Sequence, residues 1–316
     1  MDMNLEQLQA FVAVAQTGNF TRAADRLYLA QPTLSRQIGA LEQDLGAPLF
    51  HRDRAGSTLT EAGASLLPLA RRMLADADSV RRELAELAGL QRGRVRLGAT
   101  PTLCISLVAE VLSAFHVKHP GVELHLSEHG SRRLLDELAA GELDLALVTT
   151  SEATAAPTRF EATPLLVEEL VVISAASAPA IVDAETVGLS TVAGLPQIVF
   201  SSAYDLRGAT DAAFRAAGLT SDVVLEGAEM DAVLRFVERG LGVAIVPAMV
   251  LVGRPGLRAA RLDASALERT ISLVRPAGVA PTAAVGVMAQ TIAATAIEFA
   301  ARAGATMRLA APTGLR

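Results

Sequence analysis

The sequence predicts an α/β fold in two parts: a small helical head at the N-terminus, then a body of two α/β lobes, with one long helix between them. Three observations carry this expectation. Three amphipathic helical stretches and an arginine-bearing hairpin crowd into residues 1–60. From Glu61 the apolar residues keep one helical stripe with no turn cluster up to the Gln91, Arg92 and Gly93 region. Beyond it, apolar strand-like runs alternate with helical runs, the mark of layered strands and helices.

In the head, Leu5, Leu8, Phe11, Val12 and Ala15 define a first amphipathic helix. A second is expected to start at Thr21, whose hydroxyl would cap free backbone N–H groups, and to run through Ala23, Ala24 and Leu27. Its N-terminus is a seat for a phosphate. In PTLSRQIGALEQDL, Leu34, Ile38, Leu41 and Leu45 fall on one helical stripe that packs inward. Arg36 lies almost opposite, flanked by Thr33, Gly39, Ala40 and Gln43, so this face is polar and shallow enough to sit deep in a major groove. From there Arg36 reaches a guanine edge or a phosphate. Pro32 suits the first helical turn, where its missing N–H is no loss, and Gln31 before it is a candidate reader of base or phosphate. LFHRDRAGSTLT then folds as a two-stranded wing, with Arg52 and Arg54 placed to grip backbone phosphates. The unit reads as a winged helix-turn-helix.

Phe11, NFTRAADRL, QPTLSRQI, LE, LG, LFHR and LTEAG, in that order, resemble the N-terminal domain of LysR-type transcriptional regulators. The likeness is detailed over residues 4 to 63, and the length and layout of the rest fit the family's effector domain. It implies that Gln31, Pro32, Thr33, Ser35 and Arg36 contact DNA and that Arg52 touches the backbone. Ala30 departs from the pattern, because the family often carries a serine before the Gln-Pro pair. The head holds five arginines against six carboxylates, so it is not basic. Phosphate neutralisation supplies much of nucleic-acid affinity, so one head binds weakly and several must act on one DNA.

The following helix supplies the assembly. Leu66, Leu69, Met73, Ala77, Val80, Leu84 and Leu87 recur at spacings of 3, 4, 4, 3, 4 and 3, as in a helix that pairs with a second copy; the assembly expected is a dimer or, as a dimer of dimers, a homotetramer. The alternative is a helix covering its own domain. Pro68 removes one helical hydrogen bond, so a kink around Ser65 to Leu67 or a late start to the regular helix is expected.

Length and composition agree: 316 residues give room for two or three domains, and 51% hydrophobic with 20% charged residues is ordinary for a folded protein. The acidic start MDMNLEQLQ lacks a basic-then-apolar signal stretch, which points to the cytoplasm. A single cysteine, Cys104, forms no disulfide within the chain. The uncharged run from Pro276 to Ile297 is broken by prolines and glycines and reads as a loop or strand followed by a core helix, so no membrane is expected.

In the body, RVRLGA, VELHLS and LDLALV read as strands separated by helices over Thr102 to Lys118 and Ser131 to Ala140, implying a parallel sheet. EELVVISA, PQIVF, DVVLE and GVAIV, with helices over Ala203 to Ala216 and Met230 to Glu238, make a second lobe. RTISLVR and the helix from Ala283 to Ala303 return to the first. The expected boundaries are therefore 1–60 for the head, 61–92 for the linking helix and 93–316 for the body. Lobe I is 93–163 with 268–303, lobe II is 164–267, and the crossings lie near Thr163 to Leu166 and Leu262 to Leu267. This layout resembles the periplasmic-binding-protein-like effector domain of the same family.

A cleft between two such lobes is where a small ligand binds. Thr100 and Thr102 follow the first strand and open a helix, so hydroxyls and free N–H groups there suit an anion. Ser131, Thr149, Ser201, Ser202 and the segment around Met230 and Val246 complete the candidate effector site. The resemblance implies the same role for Thr100, Thr102, Ser131 and Ser202. Cys104 lies near this cleft and reads as a buried structural thiol, with redox sensing the alternative. His116, His119, His125 and His129 show no metal-binding spacing, and no catalytic constellation or cofactor loop emerges. The expectation is a non-enzymatic regulator whose partners are double-stranded DNA, a small anionic metabolite and further copies of itself. The alternative is a two-lobed binding protein or enzyme that uses its helical head for protein contacts.

Overall fold

The computed structural model describes residues 3–53, 56–87, 93–150, 159–179, 181, 186–201, 204–227, 229–263 and 267–311. The chain forms two compact units, one of Met1–Gly93 with Asp136–Leu143 and one of Arg94–Leu135 with Asp144–Arg316.

The first unit opens with α1 (Leu5–Thr17), started by a reciprocal cap in which Asn4 and Gln7 each take the other's backbone N–H at 2.9 Å. It stops at Gly18, whose φ of 63° places it in the left-handed region open to glycine. α2 (Phe20–Arg26) follows, then α3 (Gln31–Leu45), and β1 (Phe50–Asp53) pairs antiparallel with β2 (Gly56–Leu59) as the wing. The cap of α2 is Asn19, whose Oδ1 accepts from Arg22 N at 3.1 Å. Thr21 is therefore not the cap expected from the sequence: the helix begins one residue earlier, and Thr21 sits exposed in its first turn. Leu8, Phe11, Val14, Leu34, Ile38 and Leu41 are buried together, and Phe50 brings the wing to this core 5.4 Å from the Phe11 ring.

α4 (Glu61–Leu87) runs 27 residues in one piece, through Pro68. The late start that Pro68 led us to expect is absent, because Thr60 accepts Gly63 N at 3.1 Å and starts the helix at once. Gly63 is required there: a Cβ would stand 2.2 Å from the Leu49 carbonyl oxygen. Leu66, Leu67, Ala70 and Leu74 face the head core. Leu69, Met73 and Val80 are left outside, 56%, 42% and 56% exposed. The side chains of Leu84 and Leu87 lie outside the described residues.

The second unit starts with β3 (Arg94–Ala99), then a helical segment made of α5 (Pro101–Leu103), a π turn (Cys104–Val108) and α6 (Ala109–Lys118). β4 (Glu123–Glu128), α7 (Ser131–Ala139) and β5 (Leu145–Thr150) follow. β6 (Phe160–Ala175), β7 (Thr186–Val187), α8 (Leu189–Ala193), β8 (Pro196–Val199), α9 (Asp205–Ala216), β9 (Asp222–Glu226), α10 (Met230–Glu238), β10 (Ala244–Pro247) and β11 (Leu257–Leu262) build the second lobe. β12 (Glu268–Pro276), α11 (Ala283–Ala303) and β13 (Met307–Leu309) return to the first.

In the first lobe β4, β3 and β5 are parallel, whereas β12 lies antiparallel against β5 and β6, so this lobe's sheet is mixed rather than wholly parallel. The reason is topological: a chain that leaves one lobe and returns re-enters the sheet from its far end. β6 belongs to both lobes. Its residues up to Glu169 pair with β12, and from Leu170 onward it pairs with β10 and β11. The change of partners thus falls a few residues beyond the crossing expected at Thr163 to Leu166. α11 is apolar enough to resemble a membrane span, yet it buries Val285, Met288, Ile292 and Phe299 in the core.

Candidate functional site

Two regions gather the predicted side chains. On α3, Leu34, Ile38 and Leu41 are fully buried, while Gln31, Pro32 and Arg36 are exposed and Thr33 and Ser35 half-buried. The inward stripe thus fixes which face remains for a partner. Ala30 caps α3 with no side-chain bond, and Pro32 stands in the first turn, so the helix start presents polar backbone to the exterior. Arg36 is held only loosely, with Nη2 3.4 Å from Thr33 Oγ1. In α2, Arg22 is drawn back onto the Thr17 carbonyl at 2.6 Å. Arg54 and the Arg52 side chain lie outside the described residues.

The second region is a cavity of about 90 Å³ lined by Thr100, Pro101, Thr102, Gly130, Thr149, Tyr204, Leu206 and Arg269. Three predicted residues, Thr100, Thr102 and Thr149, are on its wall. Thr100 ends the β3 strand and caps α5, and its carbonyl accepts Leu103 N at 2.9 Å and Cys104 N at 3.0 Å. Its hydroxyl is another matter. The residue is 5% exposed, and Oγ1 has no hydrogen-bond partner among the described residues. A buried orphan hydroxyl costs about 1–3 kcal/mol, a cost that a guest with a matching polar atom removes.

Ser131 acts one step back. Its Oγ lies 3.2 Å from both Thr149 N and Thr149 Oγ1, so it fixes the threonine that faces the cavity. Ser201 does not reach the wall; its carbonyl accepts Tyr204 N at 3.0 Å and so helps orient the tyrosine that does. Met230, 2% exposed, is in the hydrophobic core, because the apolar face of α10 turns it inward with Val233, Leu234 and Val237. Ser202 lies outside the described residues.

Sequence reasoning missed Arg269 and Tyr204. Arg269 is the cross-strand neighbour of Glu168 on β6, and its Nε donates to Glu168 Oε1 at 2.7 Å. Glu168 is fully buried and also accepts Met249 N at 3.1 Å. Met249 Sδ in turn takes the Ser106 hydroxyl at 3.1 Å, from the π turn that follows α5. Such turns, with one extra residue, recur at functional sites. Arg269 opens a strand just after the expected second crossing, which was the available signal; an arginine entering a buried strand needs a fixed partner. Tyr204 lies two residues beyond Ser202, and its hydroxyl donates to Glu229 Oε2 at 3.2 Å. Burial first, then the Glu229 charge, pushes the Tyr204 hydroxyl well above the usual phenol range. Burial and Glu128 push the Cys104 thiol up to about 12, so it stays protonated near neutrality.

Comparison with known proteins gives two family matches: a model described as "Bacterial regulatory helix-turn-helix protein, lysR family" over residues 5–64, and one described as "LysR substrate binding domain" over residues 88–296. A probable nitrogen assimilation transcriptional activator of Synechococcus elongatus is 32% identical over 277 residues, covering 87% of this chain and 89% of that protein. The uncharacterized HTH-type transcriptional regulator YybE of Bacillus subtilis is 30% identical over 271 residues, covering 86% of this chain and 91% of its own length. Among solved structures, a full-length OxyR variant from Pseudomonas aeruginosa aligns with a TM-score of 0.71 at 24% identity, covering 94% and 95% of the two chains. Full-length CbnR in complex with its target DNA aligns with a TM-score of 0.61 at 25% identity, covering 96% and 100%.

Proposed function

This chain belongs to the LysR family of helix-turn-helix transcriptional regulators, and from that premise we propose which of its residues read DNA and which hold the effector. Gln31, Pro32, Thr33, Ser35 and Arg36 form the reading surface of α3, Thr21 meets a phosphate at the start of α2, and Arg52 and Arg54 grip the backbone from the wing. The observation that carries this reading is the division of α3 into a buried apolar stripe and an exposed polar face bearing Arg36. In this reading the domain limits are 1–60, 61–92 and 93–316, with α4 as the self-association helix of a dimer and, from two dimers, a tetramer. Its exposed Leu69, Met73 and Val80 support that role.

The effector reading rests on the cavity bounded by Thr100, Thr102, Thr149, Tyr204 and Arg269. Its guest is a small carboxylate-bearing metabolite. At about 90 Å³ the cavity is smaller than the ~150 Å³ that takes a benzene ring, so the guest is compact. An unpaired hydroxyl on Thr100 and a guanidinium on Arg269 match the two kinds of donor that a carboxylate needs. The relatives are named as transcriptional regulators, which supports a binding role without turnover and a cytoplasmic site of action.

Retention of genomic fragments by the purified full-length chain, followed by gel-shift titration with the recovered sequence, tests the reading of α3. Specific retention that is lost in Arg36→Ala supports it, and equal retention of unrelated DNA overturns it.

A further inference from the structure

The turn between α2 and α3 closes the first of these helices with a pair of nested bonds: Leu29 N donates to the Ala24 carbonyl at 2.9 Å and Tyr28 N to the Asp25 carbonyl at 3.2 Å. Such a closure puts its fifth residue in the left-handed region, where glycine is favoured. α3 ends on the same pair of bonds, Ala47 N to the Glu42 carbonyl and Gly46 N to the Gln43 carbonyl, and its left-handed residue is Gly46 at a φ of 68°. α1 likewise stops at Gly18. At the end of α2 the position is held by Tyr28, whose φ of 55° is positive, alone among the described non-glycine residues.

The fold gains nothing from this choice. In the left-handed region an L side chain brings its Cβ close to a carbonyl oxygen, and the Tyr28 ring has no packing that would offset the strain. It is 97% exposed, the most exposed large apolar side chain among the described residues. The apolar anchor of the turn is the next residue, Leu29, which packs against the head core. Strain that persists without a return in packing points to function.

Position says which function. In a helix-turn-helix the first helix crosses the phosphate backbone and the second enters the groove by its N-terminal end. Tyr28 stands between the two, two residues before Ala30, the cap of α3, and three before Gln31. The charge of the head favours a neutral contact there. Five arginines face six carboxylates, and both arginines of α2 are engaged within the chain, Arg22 on the Thr17 carbonyl at 2.6 Å and Arg26 on Gln16 Oε1 at 2.9 Å. We infer that Tyr28 is a DNA contact, its ring against the sugar and its hydroxyl donating to a phosphate at the rim of the groove that α3 enters. This rests on the reading of α3 above and adds a residue to it. A phosphate carries no sequence information, so Tyr28 positions the head and leaves the bases to α3. Being neutral, it displaces no counterion.

The experiment is gel-shift titration of the full-length wild type, Tyr28→Gly, Tyr28→Phe and Arg36→Ala on the recovered operator and on unrelated duplex, at several salt concentrations. Tyr28→Gly relieves the left-handed strain, so it should melt no lower than wild type yet bind both DNAs about five-fold more weakly, the loss of one hydrogen bond and its ring contact. The slope of log affinity against log salt should not change, and Tyr28→Phe should fall between the two. Tetranitromethane should nitrate Tyr28 in the free chain, and operator should protect it, read by peptide mass spectrometry. Full operator affinity in Tyr28→Gly overturns the inference; the reading of α3 stands if Arg36→Ala has lost affinity and falls if it has not. A loss confined to operator overturns the backbone contact. If Tyr28→Gly melts lower and binds weakly, nitration decides: equal labelling with and without operator overturns the inference.

Discussion

Removing the Arg36 guanidinium takes a long cationic group off an exposed helix face and leaves the buried stripe of α3 untouched. Arg36→Ala should therefore weaken operator binding by about 1–3 kcal/mol with the fold intact, measured by gel shift alongside circular dichroism. Thr100→Val tests the cavity in the same spirit. Hydroxyl and methyl are close in volume but not in hydrogen bonding, and Oγ1 has no protein partner to lose. The variant should keep operator binding and lose the effector's effect on it, read by gel shift with and without ligand. Cys104 gives a pH prediction. Its thiol is raised from an ordinary 9.0 to about 12, so the fold favours the protonated form. The resulting stability is complete below pH 9 and is lost as pH rises from there toward 12. Urea-melt midpoints should fall over that range and fall less in Cys104→Ala. Rapid alkylation of native Cys104 at neutral pH would contradict the half-buried, protonated thiol.

Among the elements, α4 carries the sharpest test. Val80 is 56% exposed and, among the described residues, lies outside the head core, so an aspartate there leaves that core intact and places a bare charge in any seam between two chains. Val80→Asp should convert dimers to monomers in light scattering and should lower DNA affinity through lost avidity. The sequence made most elements legible because their apolar spacing is set by burial: the stripe of α3 and the run of β5 appear in the structure as expected, and α4 forms over its expected length, with Leu66 turned to the head core and Leu69, Met73 and Val80 exposed. It was less informative where tertiary contacts decide. LRAARL, too polar to read as a strand, becomes β11 because β6 supplies a ladder for it. Asn19 outcompetes Thr21 as a cap because the helix entry is fixed by Gly18 and Ser57, whose N donates to the Gly18 carbonyl at 2.9 Å. The cavity was half legible. Thr100, Thr102 and Thr149 are marked by strand ends, whereas Tyr204 and Arg269 come from segments far apart in sequence, and only the fold brings them together.

At the scale of the whole effector unit, β6 is shared by two sheets, with β12 and β13 on its first part and β10 and β11 on its second. One buried cluster also spans both lobes, from Val95 and Phe115 to Val233 and Met249. The two lobes should therefore melt together. Hydrogen exchange in the full-length chain should protect the amides of residues 160–169 and 170–175 to similar degrees, and a lobe that opens alone would contradict this. The cavity straddles the same divide: Thr149 belongs to the lobe before the change of partners and Tyr204 to the lobe after it, so a guest that touches both is a cross-tie between the two lobes.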